Sequence, residues 1–144
     1  MNSARTAVVC AAIALATTSA WAQAPRTPAP QAAKVYFISP KNGDTVRSPV
    51  KIVMGLSGMG VAPAGTDAPD TGHHHILVDA SKLPAFDAPM PVDSTYRHFG
   101  KGHTETTLEL PPGKHTLQLV LGDKNHIPHN PPVMSDKITI TVVK

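Results

Sequence analysis

From Lys34 onward the chain alternates apolar and polar residues with a period of two. Lys34–Ser39, KVYFIS, is a short β-rich run ended by Pro40. VKIVMGL sets Val50, Ile52, Met54 and Leu56 against Lys51, Val53 and Gly55. HILVD, from His75 to Asp79, is a compact apolar run. TETTLEL sets Thr106, Leu108 and Leu110 against Glu105, Thr107 and Glu109. KHTLQLVLGD places Leu117, Leu119 and Leu121 on one face, and KITITVV does the same with Ile138, Ile140 and Val142. This periodicity predicts six strands, with a seventh around Tyr96, and no stretch carries a helical stripe of any length.

The turn chemistry fits the same picture. PKNGDTVRSP, from Pro40 to Pro49, and LPPGKH, from Leu110 to His115, punctuate the strands with Pro, Gly and Asn-Gly. Long loops are expected over 58–72, 82–93 and 122–132, and loops of that length in a compact domain commonly carry function. Short strands at regular spacing predict an all-β fold, an immunoglobulin-like β-sandwich of about seven antiparallel strands. A closed barrel is the alternative.

The first 22 of the 144 residues stand apart from this pattern. Arg5 precedes an apolar run, Thr6 to Thr17, and Ala20-Trp21-Ala22 is a small-x-small cleavage signal. That is the form of a secretory signal peptide, and it predicts a periplasmic or secreted protein with no transmembrane segment after cleavage. Residues 23–33 are rich in Pro and Ala and read as an extended, mobile linker to a single domain over 34–144. The only cysteine, Cys10, lies in the signal, with Val9 rather than a small residue before it, so no lipid attachment is read there. The mature chain therefore excludes a thiol nucleophile, an iron–sulfur cluster and a thiolate metal site.

Removing the signal takes away Arg5 and no acid, so the net charge goes from +3 to +2. The charges are scattered, with no basic stripe interleaved with aromatics, and nucleic acid is not an expected partner. GLSGMG, Gly55 to Gly60, fails as a nucleophile elbow because Met59 stands where the second Gly is required. No G-K-[ST] follows those glycines and no H-E-x-x-H occurs. With no catalytic signature, the chain is read as a non-enzyme.

The eight histidines change the picture most, because all fall in the folded segment. His73, His74 and His75 open a strand, His98 and His103 bracket HFGKGH, His115 opens another strand, and His126 and His129 form H-x-x-H. Alternate strand residues share a face, so His73 and His75 point one way and His74 points inward beside Ile76 and Val78. Imidazole suits copper and zinc. The candidate ligands are His73, His75, His98, His126 and His129, with His74 and His103 as secondary members. Asp70, Asp79 and Asp123 are candidates for orienting the imidazoles from behind. Met54, Met59, Met90 and Met134 leave copper(I) open, since thioethers suit it. His115 shares its face with Leu117 and reads as a structural residue. His103, in a Gly-rich turn, reads as solvated. The triplet also reads as a polar network, with Asp70, Thr71 and Asp79 as hydrogen-bond partners.

KVYFISPKNGDTV, GLSGMGVAPAG, TGHHHILVD and the run from His98 to Val142 together resemble an exported bacterial family known as a domain of unknown function, DUF4399. The resemblance spans 34–144. It implies a periplasmic or secreted β-rich domain and carries no activity over. The positions matching the family pattern are His73, His74, His75, His98, His115, His126 and His129. His103 falls where the family carries other residue types.

Two functions fit these observations. In one, an exported protein binds copper or zinc through the histidine cluster. In the other, an immunoglobulin-like module uses its long loops to engage a partner in the cell envelope, and its histidines are structural. Converging imidazoles with open nitrogens would favour the first. Rings already bonded to backbone or carboxylate would favour the second.

Overall fold

The computed structural model describes residues 25–144, and every regular element among them is a strand. The expected signal peptide lies outside the described residues. Nine strands follow in order: β1 Lys34–Ser39, β2 Thr45–Arg47, β3 Val50–Ser57, β4 Gly60–Val61, β5 Thr71–Val78, β6 Tyr96–His98, β7 Glu105–Leu108, β8 Gly113–Gly122 and β9 Ile138–Val143. They make two sheets. One has the order β1-β3-β7; the other runs β2-β9-β8-β5-β4, with β6 also paired to β5. No helix among the described residues is long and apolar enough to cross a membrane.

The period-two pattern becomes a shared core. Val50, Ile52 and Met54 of β3, Leu117, Leu119 and Leu121 of β8, and Ile138, Ile140 and Val142 of β9 are all buried in one cluster. Residues of both sheets contribute to it, and each such aliphatic side chain stabilises the fold by about 1.5–3 kcal/mol.

Three expectations are corrected. The strands number nine rather than about seven, because β2 and β4 lie in stretches whose turn residues masked them. The pairing is not purely antiparallel: β2 runs parallel to β9, and β4 runs parallel to β5. The Pro/Ala-rich segment does not hang free. Ala29 donates to the Asn130 carbonyl at 3.2 Å, Asn130 donates to the Thr27 carbonyl at 2.9 Å, and Arg26 donates to the Pro128 and His129 carbonyls. These backbone groups find partners across the domain instead of in water.

β5 differs from the other strands because Gly72 to Val78 are buried without a break. β8 flanks it on one side, and β4 and β6 on the other. One face, with Ile76 and Val78, looks into the shared core. The opposite face carries Leu77, which packs with Ala80, Met90 and Val120 in a second, smaller cluster. A strand covered on both faces needs no polar side, yet this one carries three histidines, each at most 1 % exposed.

Candidate metal centre

His73 and His75 stand two residues apart on β5 and share its second face, the face of Leu77. Their Nε2 atoms lie 3.0 Å apart. β6 pairs antiparallel with β5 and sets His98 directly opposite His75. The loop after β8 brings His126, whose Nδ1 is 3.1 Å from His73 Nε2. One nitrogen from each of His73, His75, His98 and His126 falls within a set no more than 4.8 Å across. Ring centroids within the group stand 4.7 to 6.1 Å apart. Four imidazole nitrogens around one zinc at 2.0–2.1 Å would stand about 3.3 Å from one another, so the contraction needed is small.

Two glycines make room for the rings. A Cβ on Gly122 would meet His75 Nε2 at 2.8 Å, and one on Gly100 would meet His98 Nε2 at 2.3 Å. Neither has a left-handed backbone; each is needed for space rather than for conformation. Glycine inside a strand often marks a close approach, and Gly122 carries that signal in the sequence.

The loop that presents His126 is held by Asp123. Its Oδ1 accepts from the backbone N–H groups of Asn125 and Ile127 at 2.8 and 3.0 Å, and its Oδ2 accepts from the Thr27 hydroxyl at 2.6 Å. His126 itself sits at φ 65°, the left-handed region that few non-glycine residues adopt. Asp123 therefore places a candidate ligand by shaping the backbone, and it also acts on His73 through its charge.

Electrostatics keep the inner pair neutral. Burial, then the neighbouring His126 and His98, lowers the His73 pKa to about 4. Burial, then His73, His98 and His126, lowers that of His75 to about 2. His98 is lowered by burial and then by His126. Neutral imidazole is the form that ligates a metal, so these lone pairs are available at neutral pH. In the neutral state an imidazole has one N–H and one lone pair. His73 Nε2 faces two ring nitrogens at once and can donate a proton to only one of them. A cation placed among the rings would satisfy all four lone pairs together.

The remaining sequence candidates separate from this group. His74 faces the shared core side of β5, donates from Nδ1 to the His103 carbonyl at 3.1 Å, and has its pKa lowered by burial. His103 is exposed. His129 is buried, but its Nε2 donates to the Thr71 carbonyl at 3.1 Å, and it is not among the four converging rings. The H-x-x-H spacing predicts a shared chelate, but His126 converges with the cluster while His129 bonds to Thr71. His115 donates to Asp79 and to the Pro111 carbonyl, away from the cluster. Asp79 thus orients His115 rather than a candidate ligand. Asp70 is an exposed turn residue at φ 52° that accepts through its carbonyl from Gly60. No carboxylate bonds to His73 or His75: Nδ1 of each is buried without a hydrogen-bond partner, as is Nε2 of His98.

No curated protein and no solved structure matches the chain. A family model does match, over residues 52–143, a span that holds all four converging histidines and both glycines that accommodate them. The chain belongs to the family described as a domain of unknown function, DUF4399.

Proposed function

We propose that this is an exported, non-enzymatic protein that binds a transition metal, copper or zinc, through His73, His75, His98 and His126. The observation that carries the reading is the convergence of four imidazoles, two of them fully buried, with no carboxylate or cysteine among them. Buried polar atoms almost always have partners, and a wall of histidines whose nitrogens face one another gains those partners from a cation. Export rests on the signal-like residues 1–22. An all-imidazole site suits borderline metals rather than magnesium or calcium, which take oxygen ligands. Within this reading the two sheets form an immunoglobulin-like sandwich that serves as a rigid frame for the site.

The test is calorimetric titration of copper(II) and zinc(II) into the untagged protein, beside a His73→Ala/His75→Ala variant. Stoichiometric binding that disappears in the variant supports the reading. If the wild-type protein takes up neither metal at micromolar concentration, the reading is wrong.

The interaction-module reading draws on a different feature. A groove of about 480 Å³ lies between β1 and the segment Met134–Ile138, bordered by Tyr36, Lys41 and Asn42. Tyr36 and Ile38 are exposed on β1, an edge strand of its sheet. An edge with free backbone groups is a place where an extended chain can pair.

A further inference from the structure

Four methionines lie in the described chain, at 54, 59, 90 and 134. Met54 is buried in the shared core and Met59 packs against it, on the side of β5 opposite the histidine cluster. Met90 is different. It is 4 % exposed and belongs to the smaller cluster on the His75 and Leu77 face.

Three relations bring Met90 to the histidines. The Cβ position that Gly122 leaves vacant is 2.8 Å from His75 Nε2 and 3.0 Å from Met90 Cε, so the imidazole and the thioether methyl share one pocket. Gly122 is the β8 residue directly opposite His73. The Met90 backbone N–H donates to the His126 carbonyl at 2.9 Å, fixing Met90 to the loop that carries a candidate ligand. Met90 lies in the long connection between β5 and β6, and a residue there has no strand neighbours to dictate its place.

We propose that Met90 supplies a thioether to the same cation as His73, His75, His98 and His126, making the centre a copper site that holds copper(I) as well as copper(II). The proposal rests on the metal-binding reading above and goes further by choosing the metal. Imidazole alone is compatible with zinc and with both copper states; a thioether is a soft donor that favours copper(I) and adds little for zinc. Methionine is unbranched and flexible. A rotation about its last torsions moves sulfur instead of methyl toward the rings without disturbing the backbone bond to His126. Met90 packs with the buried Leu77, Ala80 and Val120, a setting in which a weak, uncharged donor meets little competition from solvent.

The experiment compares wild type with Met90→Leu, a swap that preserves volume and apolar character. Copper(I) affinity is measured by competition with a chromophoric cuprous chelator under anaerobic conditions, and copper(II) and zinc(II) affinities by calorimetry. The expected result is a loss of copper(I) affinity of roughly 10- to 100-fold, with zinc affinity unchanged. X-ray absorption of the copper(I)-loaded wild-type protein should show a copper-bound sulfur, which needs no variant. A copper(I) protein with only nitrogen neighbours, or a Met90→Leu variant that binds copper(I) as tightly as wild type, overturns the proposal while leaving the histidine site standing. A wild-type protein that binds no copper and no zinc overturns both.

Discussion

Gly122 lies so close to His75 that a Cβ there would stand 2.8 Å from the imidazole Nε2. The space on β8 is reserved for a ring that projects from β5. Gly122→Ala tests this directly, because the backbone of Gly122 is one that alanine adopts. The ring must then move by tenths of an ångström. Metal affinity is expected to fall roughly 10- to 100-fold, with a stability loss of about 1–3 kcal/mol from overpacking. Calorimetry with copper and zinc beside a urea melt reads both. An alanine variant with wild-type affinity would show that the ring's position is of no consequence to the metal.

The two members of H-x-x-H should separate on substitution. His126→Ala removes a converging nitrogen and is expected to weaken copper or zinc binding at least tenfold, by the same scale that governs supporting residues. His129→Ala leaves the Thr71 carbonyl without its donor and should cost about 1–3 kcal/mol of stability, with metal affinity unchanged. Equal losses of affinity in the two variants would put His129 back among the ligands.

Stability of the metal-free protein should fall in acid. The folded pKa values of His73 and His75 are lowered to about 4 and about 2 from 6.5. Below pH 6.5 the unfolded chain takes protons at these sites that the folded chain refuses. The stabilisation is complete above 6.5 and is lost as the pH falls toward those folded values. Denaturant melts with a chelator present, from about pH 8 to about pH 4.5, should show a loss on the order of 5 kcal/mol relative to a His73→Gln/His75→Gln variant. A difference that stays flat across this range would contradict the depressed values.

His115 has the opposite sign. Its Nδ1 is 2.7 Å from Asp79 Oδ2 and its Nε2 is 2.8 Å from the Pro111 carbonyl. Both partners are acceptors, so both ring nitrogens donate only when the ring is protonated. Burial opposes that charge, but the bonds to Asp79 and Pro111 together raise the pKa above its ordinary value. The stabilisation is fully present below pH 6.5 and is lost as the pH rises through the raised value. Asp79→Asn keeps the left-handed turn that asparagine tolerates and removes the anion. Because Asp79 is half-exposed, the expected cost is about 1 kcal/mol in the acid range, with metal binding untouched. An NMR titration of His115 that does not shift downward in the variant would rule the pairing out.

The contrast between these residues shows what could be read from order alone. A strand period of two separates His73 and His75 from His74, and their placement on opposite faces of β5 follows from spacing within one segment. The structural role of His115 is similarly local, since it opens β8 on the same face as Leu117. The pairing of His98 with His75 depends on the long connection between β5 and β6, and no spacing rule measures that distance. His126 and His129 mislead because H-x-x-H implies a shared direction, while the loop sends His126 into the cluster and His129 to the Thr71 carbonyl. In the fold, β2 and β4 escape the sequence pattern for a related reason. They are three and two residues long, and their partners in sequence-distant strands, rather than any local pattern, make them strands at all.

The four rings do not lie at equal depth. His73 and His75 belong to the closed interior, while His98 and His126 are only partly covered. A competing chelator arriving from solution would reach the outer two first and displace them in turn. The inner two would let go last. Release of a bound ion would then proceed by stepwise ligand exchange from the less covered side, with a rate set by the incoming donor, rather than by spontaneous ejection of a bare ion. For a bound ion, the layout would combine a firm hold on the buried side with exchange on the less covered one.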